Sequence, residues 1–271
     1  MDLIEPFKRA INKRTRMQPS FIILGAQKAG TTALFQMLSQ HPDILPPRKK
    51  ELDHFNVEEE YAKGMGHYLS NFPVRSIRRK MTTFEASPAY LFHASKVAPR
   101  LKKHLPKVTC VIILRDPVIR AYSAWNMFRD FKSGATPKIW HESRTFRQAL
   151  DDELAGRPGY QYHQYLFGSH YAEQIACFQE HFPKDQLIIR SYLDLKRDPQ
   201  KFVDDLCEEL GYPPMPPLVK VTGKVHPYQE PLDPSLAAEL YQYFAPELVK
   251  LRHTLGYDLY LLEDNGRSAK G

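Results

Sequence analysis

The stretch Gly25-Ala26-Gln27-Lys28-Ala29-Gly30-Thr31-Thr32 sets two glycines five residues apart, with a lysine between them and two threonines behind. Glycines let a backbone turn tightly and approach an anion, the lysine brings positive charge, and the threonines offer hydroxyls from the first turn of a following helix. This is chemistry for holding a phosphate. A nucleoside-triphosphate loop reads G-x-x-x-x-G-K-[ST], with its lysine after the second glycine, whereas Lys28 stands inside the turn. A second stretch, CVIILRDPVIRAYSAW, puts Arg115 directly after an apolar run and Ser123 two turns further on. An arginine fork can clamp a second phosphate, with the serine adding one hydroxyl bond. Two phosphate sites on separate segments imply a nucleotide phosphorylated at two positions. Magnesium-dependent triphosphate chemistry asks for an acid at the end of the second strand, and the residue there is Arg115.

Such loops work only if strands and helices aim them. Ser20 to Leu24 has the length of a buried strand, and Thr31 to Gln40 then carries apolar residues at Ala33, Leu34, Met37 and Leu38, the spacing of a helix. Thr82 to Glu85 predicts a short strand, Ser95 to His104 a helix, and Val108 to Leu114 a second buried strand. Asp116 and Pro117 make a start signal for a helix running to about Lys132. A helix near Thr145 to Ala155, an amphipathic one from Tyr171 to Phe182, a third strand over Gln186 to Arg190 and a helix over Pro199 to Leu210 follow. The Pro-rich segment GYPPMPPLVKVTGKVHPYQEP is loop, and Pro234 to Leu255 closes the chain as a helix with a kink or break expected at Pro246. Strands alternating with helices give an α/β fold, P-loop-like, with a mostly parallel central sheet covered on both faces. The expected organisation is a basic N-terminal segment over 1–19, a single domain over 20–260 and a tail over 261–271.

The chain has 271 residues, 42% hydrophobic, enough to bury one large core, and a formal net charge of +7 that suits an anionic ligand, an acidic polymer or a membrane surface. The longest apolar runs fall far short of the roughly 20 residues of a membrane-spanning helix, so no transmembrane segment is expected. Cys110, Cys177 and Cys207 lie far apart with no C-x-x-C pair, which points away from a disulfide framework or cysteine-rich metal site and towards the cytoplasm.

Together, FIILGAQKAGTTAL and VIILRDPVIRAYSAW resemble the 5′-phosphosulfate loop and the 3′-phosphate motif of sulfotransferases that use 3′-phosphoadenosine 5′-phosphosulfate (PAPS), most of all the branch containing heparan sulfate and other carbohydrate sulfotransferases. The resemblance extends through KELDHF, FEASPAY and VTGKVHP. It implies that Gly25, Gln27, Lys28, Ala29, Gly30, Thr31 and Thr32 hold the 5′-phosphosulfate, that Arg115 and Ser123 hold the 3′-phosphate, and that Gly223 and Lys224 belong to a basic loop over the nucleotide. It makes Glu51 the catalytic base, since an acceptor hydroxyl is a poor nucleophile until a carboxylate takes its proton, with Lys28 neutralising charge on the leaving phosphate oxygen. Asp53 and His54 are the implied substrate contacts, and no metal is required. His163, Gln164 and His170 are expected near the base, and Tyr160, Tyr162, Tyr165 and Phe167 either stack on a sugar or fill the core under a loop. The implied acceptor is a hydroxyl of a saccharide or polar small molecule, with no nucleic-acid partner. Two other readings are a kinase-like or NTPase-like nucleotide-binding protein, marked by magnesium-dependent ATP binding, and a non-catalytic module for nucleotide or acidic polymer, which would tolerate loss of Glu51. Oligomeric state is not written in these motifs.

Overall fold

The structure, a computed structural model, describes residues 11–12, 14–75, 81–131, 140–157, 159–160, 162–219, 228, 230–259 and 261–262. Its centre is a five-stranded sheet of β1 (Phe21–Gly25), β2 (Ile44–Leu45), β3 (Thr82–Ala86), β4 (Thr109–Leu114) and β5 (Leu187–Ser191), in the order β2-β3-β1-β4-β5. Every neighbouring pair runs parallel. β1 and β4 are apolar almost throughout and buried on both faces, as expected for strands sandwiched between helical layers. From β1 the chain first travels to one side, through β2 and β3, and later to the other, through β4 and β5. The order therefore reverses between β1 and β4, where doubly wound sheets open a crevice beyond the carboxyl ends of their strands.

The helices that matter for that crevice are α1 (Thr31–Leu38), the short α2 (Glu58–Ala62), α3 (Gly64–Leu69) and α4 (Ala89–Phe92), then α5 (Ala94–His104), α6 (Pro117–Arg129), α7 (Phe146–Leu154), α8 (Tyr171–Gln179), α9 (Tyr192–Arg197), α10 (Pro199–Glu209) and α11 (Pro234–Leu255). The main core joins the sheet to α1, α5, α8 and α10. A second cluster packs α6 and α7 with Tyr165, Leu240 and Phe244. The expected start signal holds at Asp116, which caps α6 by accepting from the Val118 and Ile119 amides; Thr145 and Gln148 form a reciprocal capping box on α7. At Pro246 the expectation of a break gives way, since α11 runs unbroken through it. Five elements have no expectation to match: β2, the short helices α2, α3 and α4, and α9.

Candidate active site

The crevice between β1 and β4 is built first from glycines. Gly25 ends β1 at φ 154°, and a Cβ there would stand 2.7 Å from Leu91 Cβ and 3.0 Å from the Pro88 carbonyl oxygen. Gly30 sits at φ 82°, where a Cβ would meet the Tyr192 ring at 2.9 Å. Both positions therefore need glycine for backbone and for space. Gly30 occupies the cap position of α1 without a side-chain cap, and the amides of the first turn have no carbonyl ahead of them to bond. They form, with the helix dipole, a site for an anion. Thr31 is buried at this end and Thr32 exposed.

Lys28 projects from the same turn with a left-handed backbone, φ 71°. Burial pushes its pKa down to about 8, the charges of Arg115 and Arg120 push the same way, and Asp130 and Glu51 pull it back. Among the described residues Lys28 makes no ion pair, so its charge is held for something else. Arg115, just beyond β4, donates from Nη1 to the Lys28 carbonyl oxygen at 3.2 Å and lays its guanidinium over the Tyr192 ring at 4.8 Å. Its own carbonyl accepts from the Tyr171 hydroxyl at 2.9 Å. The two candidate phosphate segments are thus tied together, with Ser123 following on α6, buried. Asp116, the acid nearest this edge, is spent on capping α6 and on accepting from the Tyr241 hydroxyl at 2.9 Å.

Glu51 reaches the crevice from the loop after β2. It is exposed, pairs with Lys50, and adopts φ 62°, as Asp53 adopts φ 51°. Burial, with the Glu51 charge acting in the same sense, raises the Asp53 pKa to about 6. A cleft beside these groups is lined by Ala26, Gln27, Phe92, Arg120, Tyr162 and Gln164. Arg120 has no counterpart in the sequence expectations. It is 3% exposed and donates to Ser169 Oγ at 2.5 Å and to the Tyr165 carbonyl. The available signal was an arginine among the buried residues of α6, in a run otherwise made of Val118, Ala121, Tyr122 and Ala124.

The structure separates other expected neighbours. His54 does not line that cleft: its ring lies against Phe55, Tyr61 and Tyr68, and burial lowers its pKa to about 4. Gln164 and Tyr162 do line the cleft. His163 instead stacks on Tyr165 beside Glu142, and His170 stacks on Tyr243. Of the four aromatics, Tyr165 is core, with its hydroxyl on Glu142, while Phe167 is exposed. Gly223 and Lys224 lie outside the described residues.

A five-stranded parallel sheet between flanking helices, its order reversing between β1 and β4, defines a P-loop-like α/β protein. The sulfotransferase domain model matches residues 18–227, and the chain belongs to that family. It is 32% identical over 202 residues, 72% of its length, to human bifunctional heparan sulfate N-deacetylase/N-sulfotransferase 3, and 30% identical over 213 residues to the corresponding protein 1 of Caenorhabditis elegans. It spans only 22% and 24% of those two proteins. A sulfotransferase from Alicyclobacillus acidocaldarius superposes with a TM-score of 0.71 at 31% identity, covering 89% of this chain and 97% of the other. The sulfotransferase domain of the curacin biosynthetic pathway shares the fold, with a TM-score of 0.51 at 16% identity.

Proposed function

We propose that the protein transfers a sulfuryl group from PAPS to a hydroxyl of a saccharide or polar small molecule. The observation that carries this reading is Lys28, a half-buried lysine that makes no ion pair among the described residues, at the uncapped start of α1 and within range of the charges of Glu51 and Arg115. In this proposal the α1 amides, Thr31, Thr32 and Lys28 hold the 5′-phosphosulfate, and Arg115 with Ser123 holds the 3′-phosphate. Glu51 takes the proton as the acceptor oxygen forms its bond to sulfur. The bond from sulfur to the bridging oxygen breaks, and adenosine 3′,5′-bisphosphate leaves with its new charge facing Lys28.

The saccharide acceptor is favoured by the heparan sulfate relatives. Their names specify N-sulfation, so a sugar amine is a second acceptor to weigh, with Glu51 in the same role. The cytoplasmic setting belongs to the proposal too, in keeping with three free thiols at Cys110, Cys177 and Cys207. Radiolabelled PAPS offered with a neutral oligosaccharide, and separately with its glucosamine-containing counterpart, tests the reading. Label should move to one of them only with protein present. Absence of transfer to both, together with no calorimetric binding of adenosine 3′,5′-bisphosphate, would overturn it.

A further inference from the structure

One buried acid has no part in the proposed chemistry. Glu85, in β3, is 0% exposed, and three hydroxyls donate to its carboxylate: Tyr68 at 2.5 Å, Tyr90 at 2.6 Å and Ser87 at 2.8 Å. A carboxylate in a dry core persists only where hydrogen bonds replace its water. Because all three protons point inwards, the oxygens of Ser87 and Tyr90 keep lone pairs turned the other way. Ser87 Oγ accepts from the Asp53 amide at 3.3 Å, and the Tyr90 hydroxyl accepts from the Phe55 amide at 3.4 Å. The next carbonyl along, that of Ala86, accepts from the Glu51 amide at 3.0 Å. Alternate amides of the 51–55 loop therefore hang from residues 86–90, and two of the three bonds pass through hydroxyls oriented by Glu85.

The loop needs this support. Glu51 and Asp53 both hold left-handed backbones without being glycine, a strained conformation that survives only where its surroundings impose it. We infer that Glu85 is a positioning residue for the loop that carries Glu51: its carboxylate fixes the direction of three hydroxyl protons, and through Ser87 and Tyr90 it sets the backbone on which Glu51 and Asp53 are aimed at the crevice. The catalytic consequence rests on the reading of Glu51 as base. The structural one does not.

The test uses the full chain with Glu85→Gln, Ser87→Ala and the double substitution. Amide hydrogen exchange at Asp53 and Phe55 is compared with that at Ile22 and Ile23 in β1. Binding of adenosine 3′,5′-bisphosphate and the kcat for sulfate transfer are measured alongside. The expected result is selective: faster exchange at the loop amides and unchanged exchange in β1. The same variants should lose about 10- to 100-fold in kcat while the nucleotide Kd moves by no more than about twofold. The double variant should be no worse than the more severe single one, because both act on one relay. Should Glu85→Gln fail to fold, Ser87→Ala still cuts the relay at Asp53. Unchanged loop exchange in Ser87→Ala overturns the inference, as does loosening of loop and β1 together with lost nucleotide binding. If the unmodified protein transfers no sulfate, the functional proposal falls, and the exchange measurement alone decides whether Glu85 sets the loop.

Discussion

At the scale of single residues, Lys28 is where burial and function meet. Its depressed pKa, about 8, means that the free site keeps the proton below that pH and releases it above. A bound phosphate favours the charged lysine, so affinity is full on the acid side and falls as pH rises through the free-site value. Calorimetry with adenosine 3′,5′-bisphosphate should show Kd rising between about pH 7.5 and pH 9.5, by up to tenfold per pH unit once past the free-site pKa. Lys28→Met should bind weakly with a flat profile over that interval. A steep profile surviving in Lys28→Met would assign the titration elsewhere. Glu51 makes the complementary case, since it is exposed and needed, on this reading, only as the acceptor attacks. Glu51→Gln keeps the shape and cannot accept the proton, so turnover should fall on the order of 100-fold or more with the nucleotide Kd unchanged. Near-normal kcat at saturating donor would remove it from the role of base.

At the scale of elements, the site depends on three segments touching at one ring. Gly30 from the β1–α1 turn, Arg115 from the end of β4 and Tyr192 from α9 stack together, Gly30 being small because the ring is there. Arg115→Ala should cost roughly 1.5–3 kcal/mol of affinity for adenosine 3′,5′-bisphosphate, as expected for charged hydrogen bonds, and leave adenosine 5′-monophosphate nearly unaffected. Tyr192→Ala should give a smaller loss with the same selectivity, because the ring steadies the guanidinium without touching phosphate. Equal losses for the two nucleotides, measured by calorimetry, would show that neither residue reads the 3′ position. Lys28 and Arg115 are legible in the sequence as candidates because each follows a strand marked by an apolar run, so local pattern alone singles them out. Tyr192 could not, since its role arises from β5 returning beside β4. The same applies to Glu85, whose partners Tyr68 and Tyr90 come from α3 and α4, elements without a clean apolar stripe. β2 is not legible in the sequence because two residues between Pro42 and Pro46 are too few to show alternation. The setting of His54 is likewise not legible: its ring turns into a cluster of Phe55, Tyr61 and Tyr68, and adjacency to Asp53 in sequence does not say which way either side chain turns.

At the scale of the whole molecule, the question is what acceptor the cleft and the surface admit. The net charge of +7 invites an anionic polymer, yet the cleft itself is a mixture. Gln27, Gln164 and Tyr162 offer hydrogen bonds, Phe92 offers an apolar face, and among the described residues Arg120 is the one cation lining it. A phenol or steroid would leave those amides unpaired at about 1–3 kcal/mol each, so it should be a poor acceptor. A heavily sulfated chain would need a run of unpaired cations beside the cleft, and the 49–53 loop mixes signs instead, Lys50 pairing with Glu51 and both Lys49 and Lys50 lying within range of the Asp53 charge. The expected acceptor is therefore a neutral or modestly charged saccharide. Sulfate transfer at saturating PAPS should be at least about tenfold faster to such an oligosaccharide than to a simple phenol, a margin of about 1.4 kcal/mol. Its KM should be nearly indifferent to salt between about 50 and 200 mM, whereas an acceptor held through many ion contacts loses orders of magnitude over that interval. A phenol preferred by tenfold would show that the amides do not face the acceptor. A sulfated polymer preferred by that margin, with a steep salt dependence, would show that the surface charge outweighs the cleft.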